Sequence, residues 1–267
     1  MTATSPIGVF DSGVGGLSVL RDIRNELPGE DLLYVADSLH APYGDKSPEF
    51  IQSRALAITE FLLGQQAKAI VVACNTATSA AAALLRARFS VPIIAMEPAV
   101  KPAALSTQTG VVGVLATRGT LSSENFTKLA TRFGEHAEIL VQPCPGLVEQ
   151  IETGDLAGEK TKVLLKQYLQ PLLDNKTDTI VLGCTHYPFL IPLIREFVGP
   201  KVTIIDPAPA VARELHRRLA GANLLSPRLD GASQYFWTSA PVDKTGPIIA
   251  QLWGARLKVK SLPVEFC

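Results

Sequence analysis

Ala69-Ile70-Val71-Val72-Ala73-Cys74-Asn75-Thr76 and Thr179-Ile180-Val181-Leu182-Gly183-Cys184-Thr185-His186 are the two stretches on which the fold turns. Each is a short apolar run that ends in a small residue, a cysteine and a pair of polar residues. Runs of this length, rich in Val and Ile, predict strands of a parallel sheet covered on both faces. Cys184 follows Cys74 by 110 positions, and the surroundings repeat with the same spacing. Ile7-Gly8-Val9-Phe10-Asp11-Ser12 matches Val112-Gly113-Val114-Leu115-Ala116-Thr117 at an offset of 105. Val91-Pro92-Ile93-Ile94 with Pro98-Ala99-Val100 matches Val202-Thr203-Ile204-Ile205 with Pro209-Ala210-Val211 at an offset of 111. Three matches in one order predict two similar halves.

Between these anchors, short apolar runs alternate with longer amphipathic stretches. Strands are predicted at 7–10, 31–36, 69–73 and 91–95, and then again at 111–115, 138–142, 179–182 and 202–205. Helices are predicted at 17–27, 48–66, 76–89, 123–133, 160–173 and 189–197. The remaining segment, 224–267, reads as a strand at 234–238 and a helix at 247–257, and it is expected to return to the first half as an edge element. The prediction is an α/β fold of two pseudo-symmetric lobes, each an open, mostly parallel sheet flanked by helices. Residues 1–98 and 208–267 would form the first lobe and residues 99–207 the second. Ligands bind such sheets outside the carboxyl ends of the strands, so facing lobes place both cysteines in one cleft.

Composition narrows the function. The chain has 267 residues, 47% of them hydrophobic, enough for a substantial core or about two domains. Lys+Arg and Asp+Glu are 25 each, so global charge points to neither nucleic acid nor an anionic membrane. No apolar run reaches the roughly 18 residues of a membrane span. The start, Met1 to Ile7, has no basic region followed by an apolar one, so no secretory signal is expected. The four cysteines, at 74, 144, 184 and 267, form neither a disulfide framework nor a zinc pattern. Free thiols in a reducing cytoplasm are the expectation.

Two thiols in equivalent settings suit a reaction that needs similar acid/base groups on opposite sides of one substrate. Inversion at a weakly acidic carbon is the plainest such reaction, since one group must take a proton while another returns it from the other face. A thiol serves either role once its pKa is lowered. Helices predicted after both cysteines would favour thiolates through their N-terminal dipoles. The competing readings are a small buried hydrophobe at each strand end and a Cys74–Cys184 disulfide. Cys144 and Cys267 have no repeat partner and read as incidental.

Other residues cluster at the same strand ends. Asp11, with Ser12-Gly13-Val14-Gly15-Gly16 behind it, aims a carboxylate at the cleft, and the glycines allow a close backbone approach. A dinucleotide loop would need a third glycine at position 18, which is Ser, although Asp37 keeps that alternative open. Asn75-Thr76 and Thr185-His186 suit carboxylate binding at a helix start, or simple capping. His186, two positions after a cysteine, reads as an acid/base or thiol-activating group, or as a structural residue. Ala41-Pro42-Tyr43-Gly44 is a turn. Glu152 either faces the cleft or ends a solvated helix.

Taken together, four motifs resemble the glutamate racemases of the cofactor-independent aspartate/glutamate racemase superfamily. They are Gly8-Val9-Phe10-Asp11-Ser12-Gly13-Val14-Gly15-Gly16, Pro42-Tyr43-Gly44, Ala73-Cys74-Asn75-Thr76-Ala77 and Gly183-Cys184-Thr185-His186-Tyr187-Pro188. The resemblance implies interconversion of L- and D-glutamate, with Cys74 and Cys184 as the two bases, aided by Asp11 and His186. It implies substrate contacts from Asp11, Ser12, Tyr43, Gly44, Asn75, Thr76, Thr185 and His186. It also implies that no pyridoxal phosphate, metal or nucleotide takes part, that the product supplies peptidoglycan, and that the chain is a homodimer. Related aspartate racemases carry other residues after the second cysteine, so Thr185-His186-Tyr187-Pro188 favours glutamate. The rivals are a racemase of aspartate or another small acid, and a two-lobed amino-acid-binding module without turnover.

Overall fold

The structure is a computed structural model that describes residues 1–267. The first four strand–helix units run β1 (Ile7–Asp11), α1 (Leu17–Glu26), β2 (Leu32–Ala36), α2 (Pro48–Gly64), β3 (Ala69–Val72), α3 (Asn75–Arg88), β4 (Ile93–Ala95) and α4 (Val100–Ser106). The pattern restarts with β5 (Val111–Ala116), α5 (Arg118–Leu121), α6 (Glu124–Phe133), β6 (Glu138–Pro143), α7 (Leu147–Glu152) and α8 (Glu159–Asp174). It continues through β7 (Thr179–Gly183), α9 (Ile191–Val198), β8 (Thr203–Ile205) and α10 (Ala208–Gly221). The chain closes with β9 (Gln234–Thr238), α11 (Val242–Trp253) and β10 (Val259–Ser261).

Two all-parallel sheets result. One has the order β10-β9-β2-β1-β3-β4 and the other β6-β5-β7-β8. The core of the first, β2-β1-β3-β4, has the same order as the whole of the second, so the repeat in sequence is a repeat in topology. In each, the strand order reverses beside the first strand, between β1 and β3 and between β5 and β7, which is where such sheets open a crevice. Phe10 pairs with Val72 on β3 and Leu115 with Leu182 on β7. Asp11 and Ser12 are therefore carried to the same edge as Cys74, as Ala116 and Thr117 are with Cys184.

The strands alternate between cores with period two. On β3, Ala69, Val71 and Ala73 enter the largest apolar cluster, while Ile70, Val72 and Cys74 enter the cluster beneath α2 and α3. On β7, Ile180, Leu182 and Cys184 face the large cluster, and Val181 faces the one under α4 and α6. The large cluster includes Val9 and Val71 of the first sheet and Ile180 and Leu182 of the second, so the halves share one apolar core. Local signals set the helix ends. Ser47 caps α2 by accepting from the Phe50 N–H, with Pro48 in the first turn, and Ser123 caps α6 by accepting from the Phe126 N–H.

The structure departs from the sequence reading in four places. The last helix spans 242–253 rather than 247–257, because Pro247 lies inside it and left-handed Gly254 ends it. Residues 187–190 form a 3-10 turn before α9, so the helix expected at 189–197 starts later, at Ile191. The short helices α4, α5 and α7 and the longer α10 went unpredicted, as did β10. The region after residue 224 contributes two strands to the first sheet, β9 against β2 and β10 against β9. No helix is long and apolar enough to cross a membrane.

Candidate active site

Cys74 and Cys184 line the same cavity, from opposite sheets. The space between protein atoms there is about 260 Å³, part of it continuous with solvent. Ser12, Tyr43, Gly44, Asn75 and Thr76 line it from the first sheet's side, and Thr185 and His186 from the second's. Pro42, Thr117, Val148 and Gly183 complete the wall. Thr117 had a signal in the sequence, since the repeat aligns it with Ser12. Val148 had none, because it sits on a helix the sequence did not reveal.

The two cysteines have different surroundings. Cys74 is the N-cap of α3, and its Sγ accepts the Ala77 N–H at 3.4 Å. It also lies 3.7 Å from Ser12 Oγ, to which it donates, and Ser12 Oγ in turn donates to Asp11 Oδ1 at 3.3 Å. Burial pushes the Cys74 thiol well up, the Asp11 charge adds to this, and the Ala77 and Ser12 hydrogen bonds only partly offset it. The start of α3 helps the Cys74 sulfur only through the Ala77 N–H, and burial works against that help. Cys184 has no α-helix directly behind it, since a 3-10 turn intervenes. Its Sγ faces His186 Nδ1 at 3.7 Å. All four cysteines are free, so no Cys74–Cys184 disulfide forms.

His186 is fully buried between Cys184 and a carboxylate. Its Nε2 lies 2.6 Å from Glu152 Oε1, while the Gly15 N–H approaches the same nitrogen at 3.2 Å. One ring nitrogen cannot donate and accept at once. The shorter contact, to a carboxylate, assigns the proton to Nε2. Burial alone would lower the His186 pKa, but hydrogen bonds to Cys184 and Glu152 outweigh it and hold the imidazole well above its usual range. With Nε2 turned to Glu152, Nδ1 is the ring nitrogen that faces the Cys184 sulfur. Glu152, at the end of α7, is bonded to His186, Val14 and Ser38 and is not a solvated helix end.

Asp11 joins the halves. Its Oδ2 accepts the Gly16 N–H at 2.7 Å and the Thr185 hydroxyl at 3.3 Å, and lies 4.0 Å from His186 Nδ1. Burial raises its pKa, and the His186 charge and its hydrogen bonds oppose that rise.

The glycine turn has a use that the sequence did not show. A Cβ on Gly13 would stand 1.9 Å from Glu152 Oε1, and one on Gly15 would stand 2.2 Å from His186 Nδ1. Neither glycine has a positive φ. They are needed for close approach between the halves, not for turning. The Tyr34 hydroxyl pins the turn by donating to the Gly13 carbonyl at 2.7 Å. The dinucleotide alternative also loses its acidic residue. Asp37 is fully buried in a two-point pair with Arg54 at 2.9 Å and 2.9 Å, and it accepts the Tyr43 hydroxyl at 2.5 Å. Tyr43 thus offers its ring and backbone to the cavity, its hydroxyl being engaged.

Asn75 stands apart. Both polar atoms of its side chain are buried without a hydrogen-bond partner, and it lines the cavity. A buried amide with four unused hydrogen-bonding positions is costly unless something fills them. Thr76 is engaged differently, bonding Thr117 Oγ1 at 2.9 Å and Thr120 Oγ1 at 3.1 Å across the cleft. No lysine lines the cavity, so no amine is placed to hold pyridoxal phosphate as a Schiff base. No group of three His, Cys, Asp or Glu side chains is arranged to hold a metal ion.

The family model of Asp/Glu/hydantoin racemases matches residues 7–215. The chain belongs to this racemase family. A relative from Methylococcus capsulatus, a glutamate racemase, is 54% identical over 98% of this chain and 96% of its own length. Among solved structures, a glutamate racemase isoform from Bacillus anthracis has a TM-score of 0.88 at 35% identity, covering 98% of each chain. The glutamate racemase of Francisella tularensis, solved in complex with D-glutamate, has a TM-score of 0.83 at 29% identity, covering 97% of this chain and 98% of that one. This racemase family therefore supplies the lobed α/β frame found here.

Proposed function

We propose that this chain is a glutamate racemase, interconverting L- and D-glutamate by proton transfer between two cysteines without a cofactor. One observation carries the reading. Cys74 and Cys184 end equivalent strands of two sheets and line one cavity, and each touches a different polar partner. The substrate assignment is supported by the glutamate racemases of high identity across nearly the whole chain.

In this reading a thiolate takes the α-hydrogen as a proton, the electron pair stays on the α-carbon beside its carboxylate, and the opposing thiol donates a proton to the other face. The carbon is inverted, and the two sulfurs exchange protonation states. Burial pushes the Cys74 thiol up, which favours it as the acid in one direction. Cys184, facing the His186 imidazolium, takes the base role. The roles reverse for the other enantiomer. Asp11 serves the Cys74 side through Ser12, and His186, held by Glu152, serves the Cys184 side. Asn75, Thr76, Thr117 and Thr185 bring amide and hydroxyl groups to a site that has no lysine or arginine in its wall, and would bind the two carboxylates by hydrogen bonds.

The same reading places residues 1–98 and 208–267 in one lobe and 99–207 in the other, supported by α10 packing on α1 and α4 on β5 and β7. It assigns a homodimer in the cytoplasm, supplying D-glutamate for peptidoglycan. The test is incubation of L-glutamate with purified protein in deuterated water, with nothing added, beside L-aspartate. Loss of optical rotation with deuterium entering the α position of glutamate supports the proposal. Glutamate left optically pure, or aspartate turned over faster, would overturn it.

A further inference from the structure

Glu152 comes from the second half of the molecule, yet two of its three hydrogen-bond partners belong to the first. Oε1 receives the Val14 N–H at 2.7 Å and the His186 ring at 2.6 Å. Oε2 receives the Ser38 hydroxyl at 2.9 Å. A carboxylate anchored through one oxygen alone can swing about that oxygen. Its second oxygen sets the plane of the group, and with it the direction in which Oε1 meets the imidazole.

Ser38 is itself well fixed. It follows Asp37, which is locked by Arg54 and Tyr43 and whose N–H bonds the Asp11 carbonyl at 3.0 Å. It precedes Leu39, whose N–H donates to Ser239 Oγ at 3.1 Å. The serine does not line the cavity, so it acts on the chemistry through other groups. Its shortest route leads to Cys184, while Cys74 is reached only past Asp11, 4.0 Å beyond His186. Glu152 holds His186, and His186 faces Cys184 at 3.7 Å, whereas Cys74 is served by Ser12 and the Ala77 N–H.

We propose that Ser38 is a positioning residue for the Cys184 half of the reaction, its hydroxyl aiming the Glu152 carboxylate that holds His186 against the Cys184 sulfur. The proposal rests on the two-thiol racemase reading. It means that the acid/base group of one half is set by a hydroxyl from the other, so the Cys184 side is complete only when the halves are closed.

The experiment compares Ser38→Ala and Ser38→Thr with wild type and with His186→Asn, using L- and D-glutamate deuterated at the α-carbon. The enantiomers have equal free energy, so kcat/KM must fall alike in both directions for any variant. The isotope effect is not so constrained. Slower proton abstraction by Cys184 raises it for one enantiomer, while for the other the slow step becomes reprotonation. Ser38→Ala is expected to lower kcat/KM by about tenfold, the scale of one hydrogen bond to a charged group. The isotope effect should rise for one enantiomer only, the same one as in His186→Asn, and Ser38→Thr should restore both parameters. A kcat/KM within about twofold of wild type, below that hydrogen-bond scale, overturns the proposal. So does an isotope effect that changes equally for both enantiomers, the mark of a general loss of closure. Failure of wild type to racemise glutamate would instead overturn the underlying reading.

Discussion

His186 Nε2 and Glu152 Oε1 are 2.6 Å apart, though 34 positions separate the two residues and no shared element joins them. That contact fixes which ring nitrogen carries the proton toward Glu152 and leaves Nδ1 for Cys184. It sits against Gly13 and Gly15, whose missing side chains let the two halves touch. The Cys184 side is thus an interfacial construction. The Cys74 side is built mostly within its own half, from Ser12 and the start of α3.

Replacing either thiol should stop racemisation. Cys74→Ser and Cys184→Ser each lack one of the two proton carriers, and serine is a far weaker acid. Each variant is expected to lose at least the 10²–10⁴-fold typical of a positioned acid/base group, with an unchanged circular dichroism spectrum. Near-wild-type turnover by either one would refute the two-thiol mechanism.

His186→Asn should remove an alkaline limb from the pH–rate profile. The His186 pKa is raised in the folded protein, so its imidazolium is fully present at and below the ordinary histidine range. The imidazolium is lost as pH rises through that raised value. Activity that needs the Nδ1–H toward Cys184 should fall over that upper window in wild type and show no such step in the variant. The rate loss is expected within about 10²–10⁴-fold, and likewise for Asp11→Asn. A loss under about tenfold in every parameter would demote both residues to positioning or structure.

Asn75→Ala should separate binding from stability. The Asn75 amide makes no hydrogen bond to another group of the protein, so its removal forfeits none within the fold. The melting temperature should change little, while KM for glutamate rises about tenfold or more, as when a hydrogen bond to a charged ligand is lost. Thermal denaturation and initial rates on the same preparation check this. An unchanged KM would exclude the amide from substrate binding.

Asp206→Asn tests a carboxylate that opposes folding. Desolvation raises its pKa to about 6, with Asp22 adding to the rise and the Ala208 N–H countering it. A carboxyl raised above its unfolded value contributes stability below that value, near pH 4, and loses it as pH climbs through about 6. The asparagine does not titrate and can still accept the Ala208 N–H. It should therefore be more stable than wild type at pH 7.5, by about 1–3 kcal/mol, and close to it at pH 4. Urea denaturation at the two pH values measures both. Equal differences at both would show that Asp206 does not titrate in this way.

The sequence by itself determined the strands, the repeat and the chemical types gathered at the strand ends. This followed because a parallel strand buried on both faces must be a short run of Val, Ile and Ala, as at 69–73 and 179–182, whatever surrounds it. The repeat then placed Asp11, Ser12, Cys74 and Cys184 at carboxyl ends, and the match of Thr117 to Ser12 was legible too. The tertiary structure alone decided which of these groups meet. Glu152 was ambiguous in sequence because α7 is short, and its partners at positions 14, 38 and 186 are remote in the chain. Asp37 reads as a ligand group until the fold brings Arg54 and Tyr43 onto it. The surroundings of Cys74 were incomplete in the sequence for the same reason. A local rule, the helix start, was visible in the sequence, whereas the desolvation that pushes the thiol up comes only from the tertiary packing around it.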